Sequence, residues 1–383
     1  MTDAGATAGP SSLPLSAYRP RSELVTDAHI PDRARHPAID AHTHLGRWLS
    51  SWVGRDGEWL VGDVDEWLAA GEAVGVRAFV NLDGRSGDEL EANLDRFDRS
   101  HPGRFATFCH PDWSLLLGPN GPDRIAEDLQ RSARAGAAGV KVWKDLGLGI
   151  EDADGSLVLP DDPRLTALWD AAAEAGLPVW WHVADPVAFF RPVDGTNEAY
   201  EQLLERPDWS FADQRFPSFE RLILAMERVV SAHPHTVFVA VHGGCYAENL
   251  GWVGRMLDTH PNFHIDIAAR IAQLGRQPRA FRQLVLRHPD RVLFGSDILP
   301  ASPSGYAADA DLAAMYRRHF RFLETADESF PHDTEEPSPA GRWRISGAEL
   351  PDDALRAVYG GNAARLLPTL AAALAPGSSA PSR

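Results

Sequence analysis

The sequence has 383 residues, of which 44% are apolar, and 37 Lys and Arg face 54 Asp and Glu for a formal net charge of −17. This excess of acid argues against binding to nucleic acid or to an anionic membrane surface, because both depend on clustered Lys and Arg. With 9% aromatic and 24% charged residues, the composition is that of a globular protein and not of a disordered one.

The cysteine count and the hydropathy pattern indicate where such a protein would work. Cys109 and Cys245 are too few for a disulfide framework, so a reducing compartment is the simplest location. No apolar stretch reaches the roughly 18 residues of a membrane-spanning helix, and the N-terminus lacks the features of a secretory signal. We therefore expect a soluble, cytoplasmic protein with a small-molecule substrate and no nucleic-acid or membrane partner; a homo-oligomer is left open.

Composition divides the chain into three parts. Residues 1–37 have no apolar period and predict a flexible N-terminal arm, and residues 371–383 predict a disordered C-terminal tail. The length would allow two or three average domains, but α/β barrels run to about 250 residues and more as one domain. We expect residues 38–370 to form a single domain.

Eight short apolar runs alternate with amphipathic segments in this central part. Nearly continuous apolar runs are typical of parallel strands that are buried on both faces. The runs are 38–46, 77–84, 105–113, 139–147, 178–186, 237–244, 262–270 and 291–300. Segments with helical spacing, most of which end in Gly or Pro, are 64–75, 123–136, 163–176, 219–234 and 249–261. The alternation predicts an α/β fold of the (β/α)8 TIM-barrel type, although a doubly wound open sheet would alternate in the same way.

Two intervals are too long to be ordinary connections. Residues 186–219 follow the fifth run and are rich in aromatic side chains, and residues 301–352 follow the eighth run and contain a helical piece at 309–325. Because both follow strands, both lie at the carboxyl-terminal face, where barrel active sites are built. We expect them to form walls or lids over a pocket, with Phe189 and Phe190 in contact with the substrate.

Ionisable residues interrupt the buried runs at corresponding ends. His42 and His44 are two apart in the first run, which places both on one face of a strand. Two histidines alone could simply line a wet cavity. However, His182, His242 and Asp297 follow the fifth, sixth and eighth runs in the same way, and burial of such groups without partners is costly. A mixed histidine and carboxylate set suits Zn²⁺, Mn²⁺ or Fe²⁺ and leaves room for water.

These motifs resemble those of the amidohydrolase superfamily, specifically the amidohydrolase-related group that includes aminocarboxymuconate-semialdehyde decarboxylase. The markers are IDAHTH at 39–44, a histidine after each of the fifth and sixth strands, FGSD at 294–297 and YGGNAARLL at 359–367. The resemblance covers about residues 38 to 368. It implies a metal-dependent barrel.

Carried over residue by residue, the resemblance assigns four metal ligands and one further catalytic group. His42, His44, His182 and Asp297 correspond to the ligands, and His242 to the acid/base or the group that polarises the substrate. Asp297 is also expected to accept the proton of an attacking water. We expect one divalent metal ion, with Zn²⁺ as the first choice and Mn²⁺ or Fe²⁺ as alternatives. The Asn in the last motif is expected to be structural.

Two lysines in the fourth run leave the number of metal ions open. In binuclear members of the superfamily a fourth-strand lysine is carboxylated and bridges two metals, whereas the single-metal group lacks that arrangement. A lysine at such a place can otherwise pair with a carboxylate or hold an anionic substrate. We expect one metal, with Lys141 or Lys144 lining the pocket.

Other polar residues near the strand ends have weaker assignments. Arg191 and Arg270 are candidates for holding the anionic end of a substrate, although a salt bridge to Asp266 or a contact with a helix end would explain Arg270 equally well. Asp40 shares the face of the histidine pair but lies a layer deeper, so it is expected to hold a neighbouring group in place.

The third run contains a cysteine beside a histidine. A buried free cysteine is usually a small apolar residue, and no known Cys/His signature surrounds this one. Cys109 is therefore expected in the core, with His110 and Asp112 as candidates for pocket lining.

The donor set fits two reactions. In hydrolysis, a metal-bound hydroxide attacks an amide, ester or lactone of a small, anionic or aromatic molecule, and this is the first prediction, made on the breadth of the superfamily. The alternative is a metal-dependent, non-oxidative decarboxylation of an aromatic or unsaturated carboxylate. A third hypothesis, from another class, is a catalytically silent barrel that binds a ligand. The residues alone do not distinguish the first two reactions, because both use the same metal ligands.

Overall fold

A computed structural model describes residues 13–14, 17–18, 22–300, 312–334, 336 and 338–375. The expectations for residues 1–12, for 301–311 and for 376–383 lie outside the described residues.

The described residues contain one sheet of eight parallel strands that pair in chain order. The strands are β1 (Ala38–Thr43), β2 (Val76–Asn81), β3 (Phe105–Cys109), β4 (Gly139–Val142), β5 (Val179–Trp181), β6 (Phe238–Ala240), β7 (Phe263–Asp266) and β8 (Val292–Leu293). Each of the eight predicted runs contains or overlaps one of them. Most strand residues are fully buried, as expected for a parallel sheet covered on both faces.

The chain after β8 returns to β1, which closes the sheet. The backbone N–H of Ala41 donates to the carbonyl of Phe294 over 3.0 Å, and the N–H of His44 donates to Ile298 over 2.9 Å. Thr43 and Ile298 form a parallel bridge. A doubly wound open sheet is thereby excluded, and the predicted (β/α)8 barrel is confirmed.

Helices cover the outside of the barrel. The longer ones are Val64–Ala73, Gly87–Leu94, Gly121–Ala135, Thr166–Glu174, Phe219–Ala232, Leu250–Thr259 and Pro278–Arg287. Five of them coincide with the predicted amphipathic segments. The helix Pro278–Arg287 was not predicted, although Pro in its first turn and buried Phe281, Leu284 and Val285 give it a helical apolar stripe.

The helix Gly121–Ala135 illustrates how local sequence sets these elements. Ile125, Leu129 and Ser132 recur at helical spacing, and they are the residues that the helix buries. The helix ends where Gly136 adopts a φ of +118°, a left-handed conformation that costs glycine little.

The first long interval lines the rim of the pocket, whereas the helix of the second packs on the outside of the barrel beside Val64–Ala73. The first contains the 3-10 turn Val187–Phe190, the helix Tyr200–Glu205 and the 3-10 turn Pro207–Trp209, and the second contains the helix Leu312–Glu324. Ion pairs connect the first interval to its neighbours: Arg342 contacts Glu201 at 2.6 Å and Arg276 contacts Glu198 at 3.0 Å. The rim is therefore tied together above the strand ends.

Several residues expected to be structural lie in the core. Trp180 is fully buried and donates its Nε1–H to the Ala41 carbonyl over 2.8 Å. Asn362 donates to the carbonyls of Pro289 and Val292, which ties the closing helix Asn362–Leu366 to β8. Burial raises the pKa of the Cys109 thiol to about 12, so this cysteine is a protonated core residue.

The described parts of the two terminal segments contact the rest of the protein. In the N-terminal arm, the backbone N–H of His29 donates to Asp327 over 2.7 Å, and that of Arg35 donates to Glu324 over 3.0 Å. The 3-10 helix Pro368–Leu374 buries Leu370 and extends into the segment predicted as a tail. The domain boundaries themselves stay a prediction. None of the described helices is long and apolar enough to cross a membrane.

Candidate active site

Four histidines and one aspartate from four strands meet at the carboxyl-terminal end of the barrel. His42 lies near the end of β1 with His44 just beyond the strand, His182 follows β5, and His242 follows β6. The ring centroids of His42 and His44 are 5.6 Å apart, those of His42 and His242 4.9 Å, and those of His182 and His242 4.4 Å. All four imidazoles are buried.

Asp297 lies at the centre of this cluster. Its Oδ1 is 3.1 Å from Nε2 of His42 and 3.2 Å from Nε2 of His44, and its Oδ2 is 4.0 Å from Nε2 of His242. The residue has a φ of +65°, and its backbone N–H donates to the His42 carbonyl over 2.8 Å. Burial opposes its ionisation, but the histidines hold the pKa of its carboxyl well below the usual range. Asp297 is therefore a carboxylate.

Two buried aspartates orient the histidines of β1. Oδ2 of Asp266 is 2.7 Å from Nδ1 of His42, and Oδ1 of Asp83 is 2.6 Å from Nδ1 of His44. Carboxylates of this kind commonly fix the ring and the tautomer of metal-binding histidines. Both Nε2 atoms consequently point to Asp297.

His242 is held by the backbone of the neighbouring strand. Its Nδ1–H donates to the Ala268 carbonyl over 2.9 Å, and its backbone N–H donates to Asp266 over 2.7 Å. Burial lowers the pKa of His242 well below its ordinary value. The neutral ring therefore presents an unprotonated Nε2 to the site.

His182 has a different partner from the other three. Its Nε2 is 3.1 Å from Oδ1 of Asp185, whose other oxygen pairs with Lys144. Burial lowers the pKa of His182 to about 3, so the ring is neutral and Nδ1 is the nitrogen left for a metal. Of the four predicted ligands, His42 and His44 both contact Asp297. The fourth, His182, packs against His242 instead.

The donor set fits a divalent transition metal. One atom each from His42, His242 and Asp297 lie within 4.8 Å of one another. Burial disfavours the charged ring of His44, but Asp83 and Asp297 raise its pKa to about 9. A cation bound between these groups would replace that proton, and imidazole with carboxylate is a common donor set for Zn²⁺, Mn²⁺ and Fe²⁺.

The two lysines occupy different layers of the barrel. Lys141 is almost completely buried, its Nζ lies 3.4 Å from Nε2 of His42, and burial lowers its pKa to about 8. Lys144 lines the pocket above it. Lys144 is thus the lysine that a substrate could meet.

Asp40 lies beneath the cluster and holds the turn that carries Asp297. It accepts hydrogen bonds from the Ser296 N–H over 2.9 Å, from Ser296 Oγ over 2.5 Å and from the Tyr316 hydroxyl over 2.7 Å. Burial raises the pKa of Asp40 to about 6. The expected positioning role agrees with these contacts.

A pocket of about 1130 Å³, counted up to its open mouth, leads to the cluster. Its walls include the large, flat side chains of Trp52, Trp143, Phe189 and Trp209. Arg270 also lines it, is 8% exposed, and donates to the Ala269 carbonyl over 2.9 Å. It forms no ion pair with any residue that the structure describes.

Some residues with predicted contacts lie elsewhere. Phe189 lines the pocket, but the adjacent Phe190 packs against Phe211 and Phe219 with centroid distances of 5.2 and 5.6 Å. Arg191 is exposed and pairs with Glu220 at 2.7 Å. These placements give no support to substrate contacts by Phe190 or Arg191.

The remaining assignments need correction. His110 is buried with its Nε2 2.6 Å from the Leu82 carbonyl, and Asp112 caps the turn Trp113–Leu116, so neither lines the pocket. The salt bridge considered between Arg270 and Asp266 is not formed, because both oxygens of Asp266 already accept from β1 and β6.

Comparison with known proteins identifies the family. The amidohydrolase family model matches residues 39–369. The chain belongs to the amidohydrolase family. This confirms the resemblance found in the motifs, and the protein is an enzyme, either a hydrolase or a carboxy-lyase. No curated protein matches the sequence significantly.

Several solved structures share the barrel. A 2,6-dihydroxybenzoate decarboxylase from Rhizobium has a TM-score of 0.55 at 15% identity, covering 87% of this chain and 99% of that chain. A dihydroxybenzoic acid decarboxylase from Polaromonas, solved with manganese and 2-nitroresorcinol, has a TM-score of 0.54 at 12% identity, with 87% and 97% covered. The 5-carboxyvanillate decarboxylase from Sphingomonas paucimobilis has a TM-score of 0.50 at 15% identity, with 86% and 98% covered. At these identities the likeness establishes the fold.

Sequence reasoning missed three carboxylates that organise the site. Asp83 and Asp185 were not singled out, and Asp266 was considered only as a partner of Arg270. Each comes at the end of an apolar run or just beyond it, as Asp297 does. The same signal could therefore have found them.

Proposed function

We propose that the protein is a metal-dependent decarboxylase of a flat, aromatic carboxylic acid. The observation that carries the proposal is the buried guanidinium of Arg270 in a pocket with aromatic walls beside the histidine and aspartate cluster. Hydrolysis of an amide, ester or lactone is the second candidate.

The metal site in this proposal consists of His42, His44, His182 and Asp297. The close approach of His242 to Asp297 makes it either a further ligand or the adjacent acid/base. When bound, a divalent ion polarises a carboxylate or carbonyl oxygen and acidifies a bound water. Zn²⁺ remains the first choice from the donors, and Mn²⁺ is supported by the manganese in the Polaromonas decarboxylase.

The charges around the pocket favour an anionic substrate. Lys144 is paired with Asp185 and Arg206 with Asp208, so the guanidinium of Arg270 is the lining cation without a carboxylate partner among the described residues. An unpaired buried charge is costly, and a substrate carboxylate or phenolate would neutralise it through the bidentate geometry that guanidinium offers. The formal charge of the whole protein is −17, so a cation without a carboxylate partner contrasts with the overall charge.

The walls favour a flat apolar body. Trp143 and Phe189 would contact the faces of a substrate ring, and such contacts contribute beyond the burial of area. Lys144 lies 5.5 Å from the Trp143 ring centroid and adds a cation at the edge of this space.

In decarboxylation, the bond between the ring carbon and the carboxylate breaks, CO2 leaves, and a proton takes its place on the carbon. The proton comes from solvent, because Asp297 is a carboxylate and Nε2 of the neutral His242 carries no proton. We assign its delivery to Asp297, which would take up the proton and pass it to the ring carbon that loses CO2. Arg270 would hold the ring in place during the transfer. The aromatic acids named for the three similar structures support this reaction over the hydrolysis that the sequence ranked first.

One observation favours hydrolysis as the second candidate. Asp297 is ionised, faces the pocket and contacts both histidines of β1, which is the arrangement required of a base that takes a proton from an attacking water. His242 would then stabilise the oxyanion or protonate the leaving group.

The two reactions are separated by incubating metal-loaded protein with a panel of hydroxybenzoic acids, aryl esters and lactones. We expect CO2 release from at least one acid and loss of that release after chelation. Hydrolysis without CO2 release would replace the first candidate by the second. Absence of both reactions together with full metal loading would favour the catalytically silent barrel.

A further inference from the structure

We propose that the mouth of the pocket is a second subsite for a flat ring, so that the preferred substrate carries two flat groups, one at the metal and one between Trp52 and Trp209. This inference rests on the proposed function, because it assumes that an acid binds at the metal centre. It adds that a single-ring acid fills only the inner half of the pocket.

Residues from two separate loops form the mouth of the pocket. Trp52 belongs to the 3-10 turn Ser50–Val53 after β1, and Trp209 belongs to the 3-10 turn Pro207–Trp209 after β5. The guanidinium of Arg206 lies 4.3 Å from the Trp209 ring centroid and 5.8 Å from that of Trp52. All three side chains line the same pocket as His44 and Asp297.

A row of rings connects the mouth to the metal centre. The ring centroids of Trp52 and Trp143 are 5.6 Å apart, those of Trp143 and Trp48 4.9 Å, and those of Trp48 and His44 6.0 Å. Each step is one ordinary spacing between neighbouring aromatic rings, about 4.5–7 Å. Trp52 is therefore three such steps from His44. His44 is buried and Trp52 is exposed, so His44 lies at the inner end of the pocket and Trp52 at its outer end.

The mouth has the chemistry of a ring-binding surface. Trp52 is 40% exposed and lines the pocket, so its indole is accessible to a ligand. Phe189 stacks on Trp209 with an interplanar angle of 25° and a centroid distance of 6.0 Å, which holds this indole in place. The buried Nε1–H of Trp209 has no hydrogen-bond partner among the described residues.

Arg206 indicates what kind of ring would bind. Its carboxylate partner Asp208 is largely exposed, so this ion pair is screened and weak. The guanidinium can consequently shift over the Trp209 face and stack on an entering ring, since guanidinium groups stack on aromatic faces. We infer an electron-rich aryl group at the distal position.

The test compares two acids of different length, benzoate and biphenyl-4-carboxylate, by calorimetric titration into metal-loaded protein. We expect the biphenyl acid to bind about tenfold more tightly, since one added aromatic contact with its burial is worth roughly 1.4 kcal/mol. Trp52→Ala should remove most of that advantage and leave the affinity for benzoate within about twofold. Trp52 is exposed, so this variant is expected to fold.

Two further variants control the result. Trp209→Leu should act like Trp52→Ala, and Trp252→Ala, which removes a half-buried indole from the outer helix Leu250–Thr259, should change neither affinity. Equal affinities for the two acids, or an equal effect of Trp52→Ala on both, would overturn the second subsite alone. Failure of metal-loaded protein to bind either acid would contradict both this inference and the proposed function.

Discussion

The base of the pocket and its wall are built in different ways. At the base, His42 and His44 are buried and each is held by a buried carboxylate, Asp266 or Asp83. In the wall formed by residues 186–219, the charged side chains pair at the surface, as Arg191 does with Glu220. The base is therefore fixed by buried ion pairs within the closed barrel, whereas the wall combines the packing of Phe190 with ion pairs that are exposed and weak.

This difference suggests that the base of the pocket carries out the reaction and that the wall determines which substrate binds. Groups on the strand ends keep their geometry because neighbouring strands lock them, and both proposed reactions need those groups. The insertion can change without disturbing the barrel, so it is where a substrate preference would reside. Changes at the base should consequently affect turnover and metal content, and changes in the wall should affect affinity.

The largest effect is expected at Asp297. Asp297→Asn keeps the size of the side chain but removes its ability to take or give a proton. We expect turnover to fall by about 10²–10⁴-fold, the range usual for general acid–base catalysis. A structural role limited to capping would instead change stability by about 0.5–2 kcal/mol. Turnover, metal content and melting temperature measured on this variant distinguish the two, and Asp95→Asn, at an exposed carboxylate on the outer surface, serves as the control. A folded, metal-loaded Asp297→Asn enzyme with nearly normal turnover would show that the base is misplaced.

A smaller effect, on metal affinity, is expected when a carboxylate that contacts a metal-binding histidine is replaced. Asp83→Asn removes the charge that orients His44, and loss of such partners typically weakens metal binding by about 10–100-fold. Competition with a chelator of known affinity measures this directly. Asp95→Asn, which alters a carboxylate on the outer surface, provides the comparison. Unchanged metal affinity in Asp83→Asn would mean that His44 does not bind the metal.

In the wall, two adjacent phenylalanines provide a matched pair. Phe189 lines the pocket and Phe190 faces the core, so Phe189→Leu should raise KM for an identified substrate several-fold, while Phe190→Leu should lower stability with little change in KM. Steady-state kinetics and thermal melting of both variants check this. If the two variants raise KM equally, the wall acts through its fold and not through contact.

The smallest effect concerns the N-terminal arm. The hydrogen bond and the charge of Asp327 raise the pKa of His29, so this contact is complete below pH 6.5 and is lost as pH rises through the folded-state value. We expect proteolytic cleavage of the arm to become faster as the pH rises above 6.5, and His29→Gln to remove most of this pH dependence. Cleavage that is independent of pH in the parent protein would contradict the assignment.

The sequence was sufficient to predict the alternation of strands and helices and the position of His42, His44 and Asp297 at one end of the strands. The two-residue spacing of His42 and His44 and the position of Asp297 after an apolar run follow from strand geometry alone. Closure of the sheet was not readable, because it depends on pairing between the two ends of the chain. The sequence places Asp83 and Asp266 near strand ends. It does not show that they contact His44 and His42, because these contacts join residues that are distant in the chain.

The wall was harder to predict. Phe189 and Phe190 are adjacent and chemically identical, and only the 3-10 turn that contains them decides which one faces the pocket. Irregular segments have no fixed period, so sequence pattern gives no side-chain direction there. The function of the interval as a pocket wall could be argued from its place after β5, but the contacts within it could not.

The most direct test of the account is metal analysis of protein purified without chelator, beside the double variant His42→Ala, His44→Ala. We predict about one divalent transition metal per chain in the parent protein and an empty site in a variant that remains folded, because the barrel core is untouched. Circular dichroism verifies the fold. Full metal occupancy in the double variant would contradict the assignment of the site, and two metals per chain in the parent protein would replace the single-metal centre by one that includes Lys141.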